Sequence, residues 1–283
     1  MTFAHTALSV GVEENLLPLS AVLKQHGVAH RVFEERGQQV LKVTSPEAVP
    51  QVQSLYKAWR SGDVKIEVTQ SPRMPTPSLV QRLRVAPVTA VLILLSIAGF
   101  LLIYLQLPLT MLSCFTFSPF EVMGDSISFG EMGGQYWRLI TPAFLHFGWL
   151  HIVFNSLWLW ELGARVERVM GGLNILGLFL VIAMVSNACQ YLFGGPSLFG
   201  GMSGVVYGLL GFSWAGAKVQ PAWQIAPPTG IMVFMVGWLV VCMLGVVEVL
   251  GFGAIANAAH VGGLVSGTIL GVVFAFSSRS STS

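Results

Sequence analysis

Charge is what this chain has least of. Only 10% of its 283 residues are Asp, Glu, Lys or Arg, while 54% are apolar. Soluble domains carry roughly a quarter charged residues, so a freely soluble globule is excluded and a lipid bilayer is implied as the surroundings. The formal net charge of +2 comes with no basic run interleaved with aromatics, and no nucleic-acid partner is expected. Cysteine is scarce as well. Cys114, Cys189 and Cys242 are an odd number without CxxC spacing, which leaves neither a disulfide framework nor a zinc knuckle, and they read as buried thiols. HExxH and comparable ligand clusters are absent, so neither a metal nor another cofactor is expected. His146 and His151, five positions apart, do not share a helix face. The opening MTFAHTALSV has no basic segment followed by an apolar core and a small-residue cleavage site, so these residues are expected to stay in the mature protein.

What is present divides unevenly. Residues 1–70 hold most of the charge and read as a small α+β domain. A helical pattern lies near 16–25 and alternation at 30–34 and 40–43. A second helix follows Ser45-Pro46 and ends near Gly62, and alternation returns at 64–68. The order predicts a βαββαβ unit. Pro72, Pro75 and Pro77 mark a linker over 71–84. From 85 to 276 the chain reads as an all-α polytopic membrane domain, followed by a short tail over 277–283. Its apolar stretches at 87–107, 147–163, 171–193, 203–217, 228–249 and 254–276 predict six transmembrane helices, a span needing about 17–25 apolar residues. Arg82, Arg84, Arg165, Arg168, Lys218 and Arg279 fall on one side and Arg138 alone on the other, which places both termini in the cytoplasm. The connection over 108–146 is long, aromatic and on the outer side, where it partly enters the membrane interface.

The fourth stretch carries the chemistry. Gly194, Gly195, Pro196, Gly200 and Gly201 break any helix, so a helix is expected to start near Ser203 and run about 22 Å, too short to cross the hydrocarbon. Ser203 then lies below the outer surface, and irregular backbone at that depth is tolerated only beside buried protein or a water-filled cavity. A helix start also offers unpaired N–H groups to a developing oxyanion. Taken alone, Gly-Met-Ser-Gly reads equally well as small-residue packing. The sixth stretch adds Ala256, His260, Gly263, Gly267 and Gly271 at spacings of three and four, on one face. A histidine within a span is costly and faces a cavity or a partner, so Ser203 and His260 form a candidate dyad if their helices touch. His151 and Asn155, one turn apart, could stabilise charge there, or serve only as interhelical glue.

Trp137-Arg138, His151-xxx-Asn155, Gly201-Met202-Ser203-Gly204-Val205-Val206-Tyr207 and Ala259-His260-Val261-Gly262-Gly263, in that order on successive spans, resemble the motifs of the rhomboid family of intramembrane serine proteases. The layout of the N-terminal region is similar to the cytosolic domain of the bacterial GlpG-like branch. The resemblance implies Ser203 as nucleophile and His260 as general base, without a third carboxylate. It implies an oxyanion hole from the Ser203 N–H, His151 and Asn155, and Tyr207 packed against His260. Gly263 and Gly267 would admit close helix approach, and Trp137, Arg138 and Glu167 would anchor the outer loop and a helix end. It further implies transmembrane protein substrates in the bacterial inner membrane, cut in or beside their spans. A non-catalytic relative that binds membrane proteins would share the fold but is expected to lack the serine or the histidine. A transporter would be expected to show an internal repeat, and none is visible.

Overall fold

The computed structural model describes residues 3–64, 78–250 and 253–280 and separates into two compact units, Met1–Thr76 and Pro77–Ser283. In the first, β1 (His5–Gly11), α1 (Leu17–Gln25), β2 (His30–Glu35), β3 (Gln38–Val43) and α2 (Ala48–Ser61) follow in the order the hydrophobic periods predict. The sheet is antiparallel with β3 in the centre, in the order β1-β3-β2. Leu19, Leu23, Leu41, Val43 and Val52 are withdrawn from solvent to form its core. Gly62, at φ +84°, ends α2 in the left-handed conformation that glycine adopts without strain. The final strand expected at 64–68 falls, apart from Val64, outside the described residues.

The second unit opens on α3 (Leu79–Val85), where the prolines had pointed to a linker. Its signal is a capping box. Ser78 Oγ accepts from the Gln81 N–H at 3.2 Å, and Gln81 Oε1 accepts from the Ser78 N–H at 2.8 Å. Next come α4 (Pro87–Tyr104), α5 (Leu109–Ser113) and the hairpin β4 (Phe120–Met123) and β5 (Ser126–Phe129). The second apolar stretch differs most from its prediction. It begins at α6 (Trp149–Trp158), passes through a π-helical turn at Leu159–Gly163 and continues as α7 (Ala164–Met170). The helical run therefore extends well past 163. Glu167 supplies the reason: the extra turn carries its carboxylate to the start of α4. There it accepts from the Val88 N–H, the Thr89 N–H and the Thr89 hydroxyl at 2.8, 2.8 and 2.6 Å, satisfying donors that a helix start leaves unpaired.

The remaining helices are α8 (Gly172–Gly194), α9 (Ser203–Val219), α10 (Thr229–Met243), α11 (Val246–Val249) and α12 (Asn257–Ser280). Among the described residues, Pro87–Tyr104, Gly172–Gly194 and Asn257–Ser278 are long and apolar enough to cross a membrane, and Thr229–Met243 is a shorter apolar helix. The buried cysteine expected at 114 is instead exposed, since it ends the short α5 rather than lying in an apolar run; Cys242 is buried and Cys189 half-buried.

α9 is buried on every side from Gly204 to Ser213, the signature of a helix at the centre of a bundle. Its tightest neighbour is α12. A methyl group added at Gly263 or Gly267 would overlap the carbonyl of Gly204 or Gly208, and one at Gly271 would meet the Phe212 oxygen at 2.5 Å. These contacts advance four residues at a time in the same direction on both helices, so α9 and α12 run parallel with their backbones touching. We predict that Gly267→Val lowers stability by about 1–3 kcal/mol or more, the usual cost of overpacking, measured as a fall in thermal midpoint in detergent. Gly177→Ala on α8, where nothing lies within 4 Å, should be neutral or stabilising. Equal effects at the two positions would refute this packing.

Candidate active site

Ser203 is the first residue of α9, and the turn before it is held from two sides. Gly201 takes φ +111°, a conformation that L side chains rarely adopt. Its N–H donates to the Pro142 carbonyl at 3.0 Å. Gly200 lies so close to Leu145 and the Pro142 carbonyl that an added methyl would meet them at 2.8 and 2.9 Å. The tip of the His151 imidazole occupies the space where a side chain at 201 would go, with Cε1 2.7 Å from that position. Glycine is thus required at 201 both by conformation and by the close approach of His151.

His260 belongs to the first turn of α12 and is only 5% exposed. Its Nε2 lies 2.8 Å from Ser203 Oγ, a distance at which the hydroxyl can donate to the ring. Half-exposed Ser203 and buried His260 therefore meet, fifty-seven positions apart in the chain. The Tyr207 ring, one turn into α9, packs on the imidazole with centroids 5.0 Å apart, and its hydroxyl donates to the Met235 carbonyl at 2.9 Å. Ser186 lies against Gly204 and Cys189 against Gly262, so α8 backs both helices of the pair.

The other predicted residues fall into two groups. His151 and Asn155 share a face of α6, and the Asn155 amide donates to the His151 carbonyl at 2.9 Å, leaving its second N–H to spare. Trp137 and Arg138 stand away from the pair. The Arg138 guanidinium, 3% exposed, donates to the carbonyls of Ser113 and Thr116 and to Gln135 Oε1, and Trp137 Nε1 donates to the Cys114 carbonyl at 3.2 Å. Burial lowers the pKa of Arg138 from its ordinary value. These bonds stitch the long connection ahead of α6 to itself.

Two residues escaped sequence reasoning. Gln190 Oε1 accepts from the Ala259 N–H at 3.2 Å, capping the start of α12 from α8 beside His260. A glutamine in an apolar run was the available signal. The second is His146, fully buried in the connection before α6. Its Nδ1 donates to the Phe144 carbonyl at 3.0 Å, and its ring stands 4.8 Å from that of His151, centroid to centroid. The two histidines do not share a helix face, yet they meet because His146 precedes the helix and is carried there by the turn at 141–145. Burial, with His151 beside it, pushes its pKa down to about 3, so it is neutral near pH 7.

Residues 133–276 match the model of the Rhomboid domain, and residues 4–70 match that of the Rhomboid N-terminal domain. The chain belongs to the rhomboid family. It is a mostly helical rhomboid membrane protein with a small strand-containing N-terminal domain. Similar proteins include the Rhomboid protease GlpG of Serratia proteamaculans (strain 568), 43% identical over 158 residues that make up 53% of this chain and 55% of that relative. The Rhomboid protease GlpG of Yersinia pseudotuberculosis serotype I (strain IP32953) is 45% identical over 136 residues, 48% of this chain and 47% of the relative. That of Yersinia pestis (strain Pestoides F) matches to the same extent. The chain spans about half the length of the curated relatives it matches.

Proposed function

We propose that this rhomboid protein is an intramembrane serine endopeptidase that hydrolyses peptide bonds in or beside the transmembrane segments of other membrane proteins. The observation that carries the reading is the 2.8 Å approach of His260 Nε2 to Ser203 Oγ at the start of a helix buried in the bundle. His260 Nε2 takes the hydroxyl proton as Ser203 Oγ attacks the scissile carbonyl, and returns it to the leaving amine, giving an acyl-enzyme. The same nitrogen then takes a proton from the water that attacks the ester carbonyl and passes it to the departing Ser203 Oγ, which restores the hydroxyl and frees the acid product. The Ser203 N–H, His151 and the free N–H of Asn155 stabilise the oxyanion. Tyr207 seats His260, and Gly201, Gly263 and Gly267 admit the close contacts around the pair. Trp137, Arg138 and Glu167 act structurally.

In the same reading the membrane domain, 85–276, crosses the bilayer six times, through α4, the α6–α7 run, α8, α9, α10 and α12. The parallel direction of α9 and α12 supports it, because the chain between them must cross back once and α10 lies there. α9, at 17 residues, reaches about 26 Å at 1.5 Å per residue, short of the hydrocarbon thickness. That shortfall leaves Ser203 beneath the outer surface with a water-filled vestibule above it. The basic residues Arg84, Arg165, Arg168 and Lys218 support a cytoplasmic location, in a bacterial cell, for the two termini and the 1–70 domain. The presence of both Ser203 and His260 favours catalysis over a role as a non-catalytic binder of membrane proteins.

Ser203→Ala and His260→Ala should each abolish cleavage of a model transmembrane substrate, with the cut located by mass spectrometry, while the protein remains folded and inserted. Substantial cleavage by folded Ser203→Ala would sink the assignment. His151→Ala and Asn155→Ala should lower kcat by about 10²- to 10³-fold with little change in KM, because oxyanion donors act in the transition state. A rise in KM at unchanged kcat would make them packing or binding residues instead.

A further inference from the structure

His146 is an ionisable side chain beside the site that the reaction scheme leaves idle. A carbonyl only accepts hydrogen bonds, so the 3.0 Å contact with the Phe144 oxygen fixes the His146 proton on Nδ1. Nε2 of the neutral ring is then a bare lone pair. It is buried and has no hydrogen-bond partner among the described residues, a costly condition for a polar atom inside a protein. The neighbouring His151 ring is 4.8 Å away and tilted by 59°. His151 in turn directs its Nε2 end at Gly201, two residues before Ser203.

We propose that His146 is a positioning residue for His151. Its ring walls the His151 imidazole into place over Gly201. Its bare Nε2 sets an electron-rich atom beside the His151 ring, which favours a proton on that ring and so its role as a donor to an oxyanion. The proposal rests on the reading of Ser203 and His151 given above, and it assigns His146 no contact with substrate. Outer partners of this kind hold a donor in the geometry that the transition state needs, where a loosely held donor loses much of its effect.

Substitutions separate this role from space filling. His146→Phe keeps a ring of similar size and removes both nitrogens. His146→Gln keeps a donor for the Phe144 carbonyl and an acceptor on the same side chain. Each variant is assayed for kcat, KM and thermal midpoint in the full-length protein, and for affinity toward a peptide boronate, whose adduct with Ser203 mimics the tetrahedral state. His146→Phe should lower kcat by about 10- to 100-fold, weaken the boronate in parallel and leave KM within about twofold. His146→Gln should recover most of the loss. Parental kcat and boronate affinity in folded His146→Phe would overturn the proposal. So would a loss that follows thermal stability and is not recovered by glutamine. If His146→Phe does not fold, His146→Leu takes its place under the same criteria. The outcomes also divide cleanly from the underlying reading. An active Ser203→Ala removes the reading itself, whereas an inactive Ser203→Ala beside a fully active His146→Phe removes only the role of His146.

Discussion

The contact of two helix backbones underlies the rest of this molecule. Gly263, Gly267 and Gly271 on α12 lie on the carbonyls of Gly204, Gly208 and Phe212 on α9, so backbone meets backbone over about two turns. Only at that separation can an imidazole from the first turn of one helix reach the hydroxyl at the first residue of the other. In a bilayer such an approach gains nothing from burying apolar surface, since lipid is as apolar as protein. It depends on close packing, and small residues permit it. α8 holds the pair from behind through Ser186, Cys189 and Gln190.

A second constraint acts on the turn before Ser203. Pro142 and Leu145 hold Gly200 and Gly201 from one side and His151 from another, so the irregular backbone at 199–202 is fixed by protein. The 105–148 connection can support it because Arg138 and Trp137 tie that connection together through backbone carbonyls. At the opposite end of α6–α7, the π turn and Glu167 join that run to the start of α4. The Ser203–His260 pair is therefore framed by elements that hydrogen bonds between separate segments hold in place, which suits a site that must keep its geometry.

Much of this was legible in the residues themselves. The breakers at 194–201 set the start of α9 at Ser203, and the three-and-four spacing from Ala256 to Gly271 put His260 on the face that meets it. Periods of two and 3.6 gave α1, β2, β3 and the end of α2 close to their observed bounds, while they set none for β1. What escaped leaves no trace in the hydrophobic period. The π turn at Leu159–Gly163 does not change the apolar spacing, the Gln190 cap joins segments far apart in the chain, and the His146–His151 contact depends on the turn that leads into α6. The capping box at Ser78 and Gln81 was present in the sequence but overshadowed by three prolines just before it. Cys114, expected to be buried like the other two cysteines, is exposed because it caps a five-residue helix.

The central claim is that Ser203 lies within the membrane yet meets water from the outer side, because reaching a transmembrane segment needs the first and hydrolysis the second. A protein lacking Cys114, Cys189 and Cys242 and carrying Ser203→Cys tests it, treated in sealed vesicles with a small polar thiol reagent on the outer face. The thiolate is the reactive form and requires water. The account predicts rapid labelling at 203 and none at Val185→Cys, a lipid-facing position beside Ser186, whose side chain lies against Gly204. Labelling at 203 as slow as at 185 in folded protein, or labelling only from the cytoplasmic face, would contradict it.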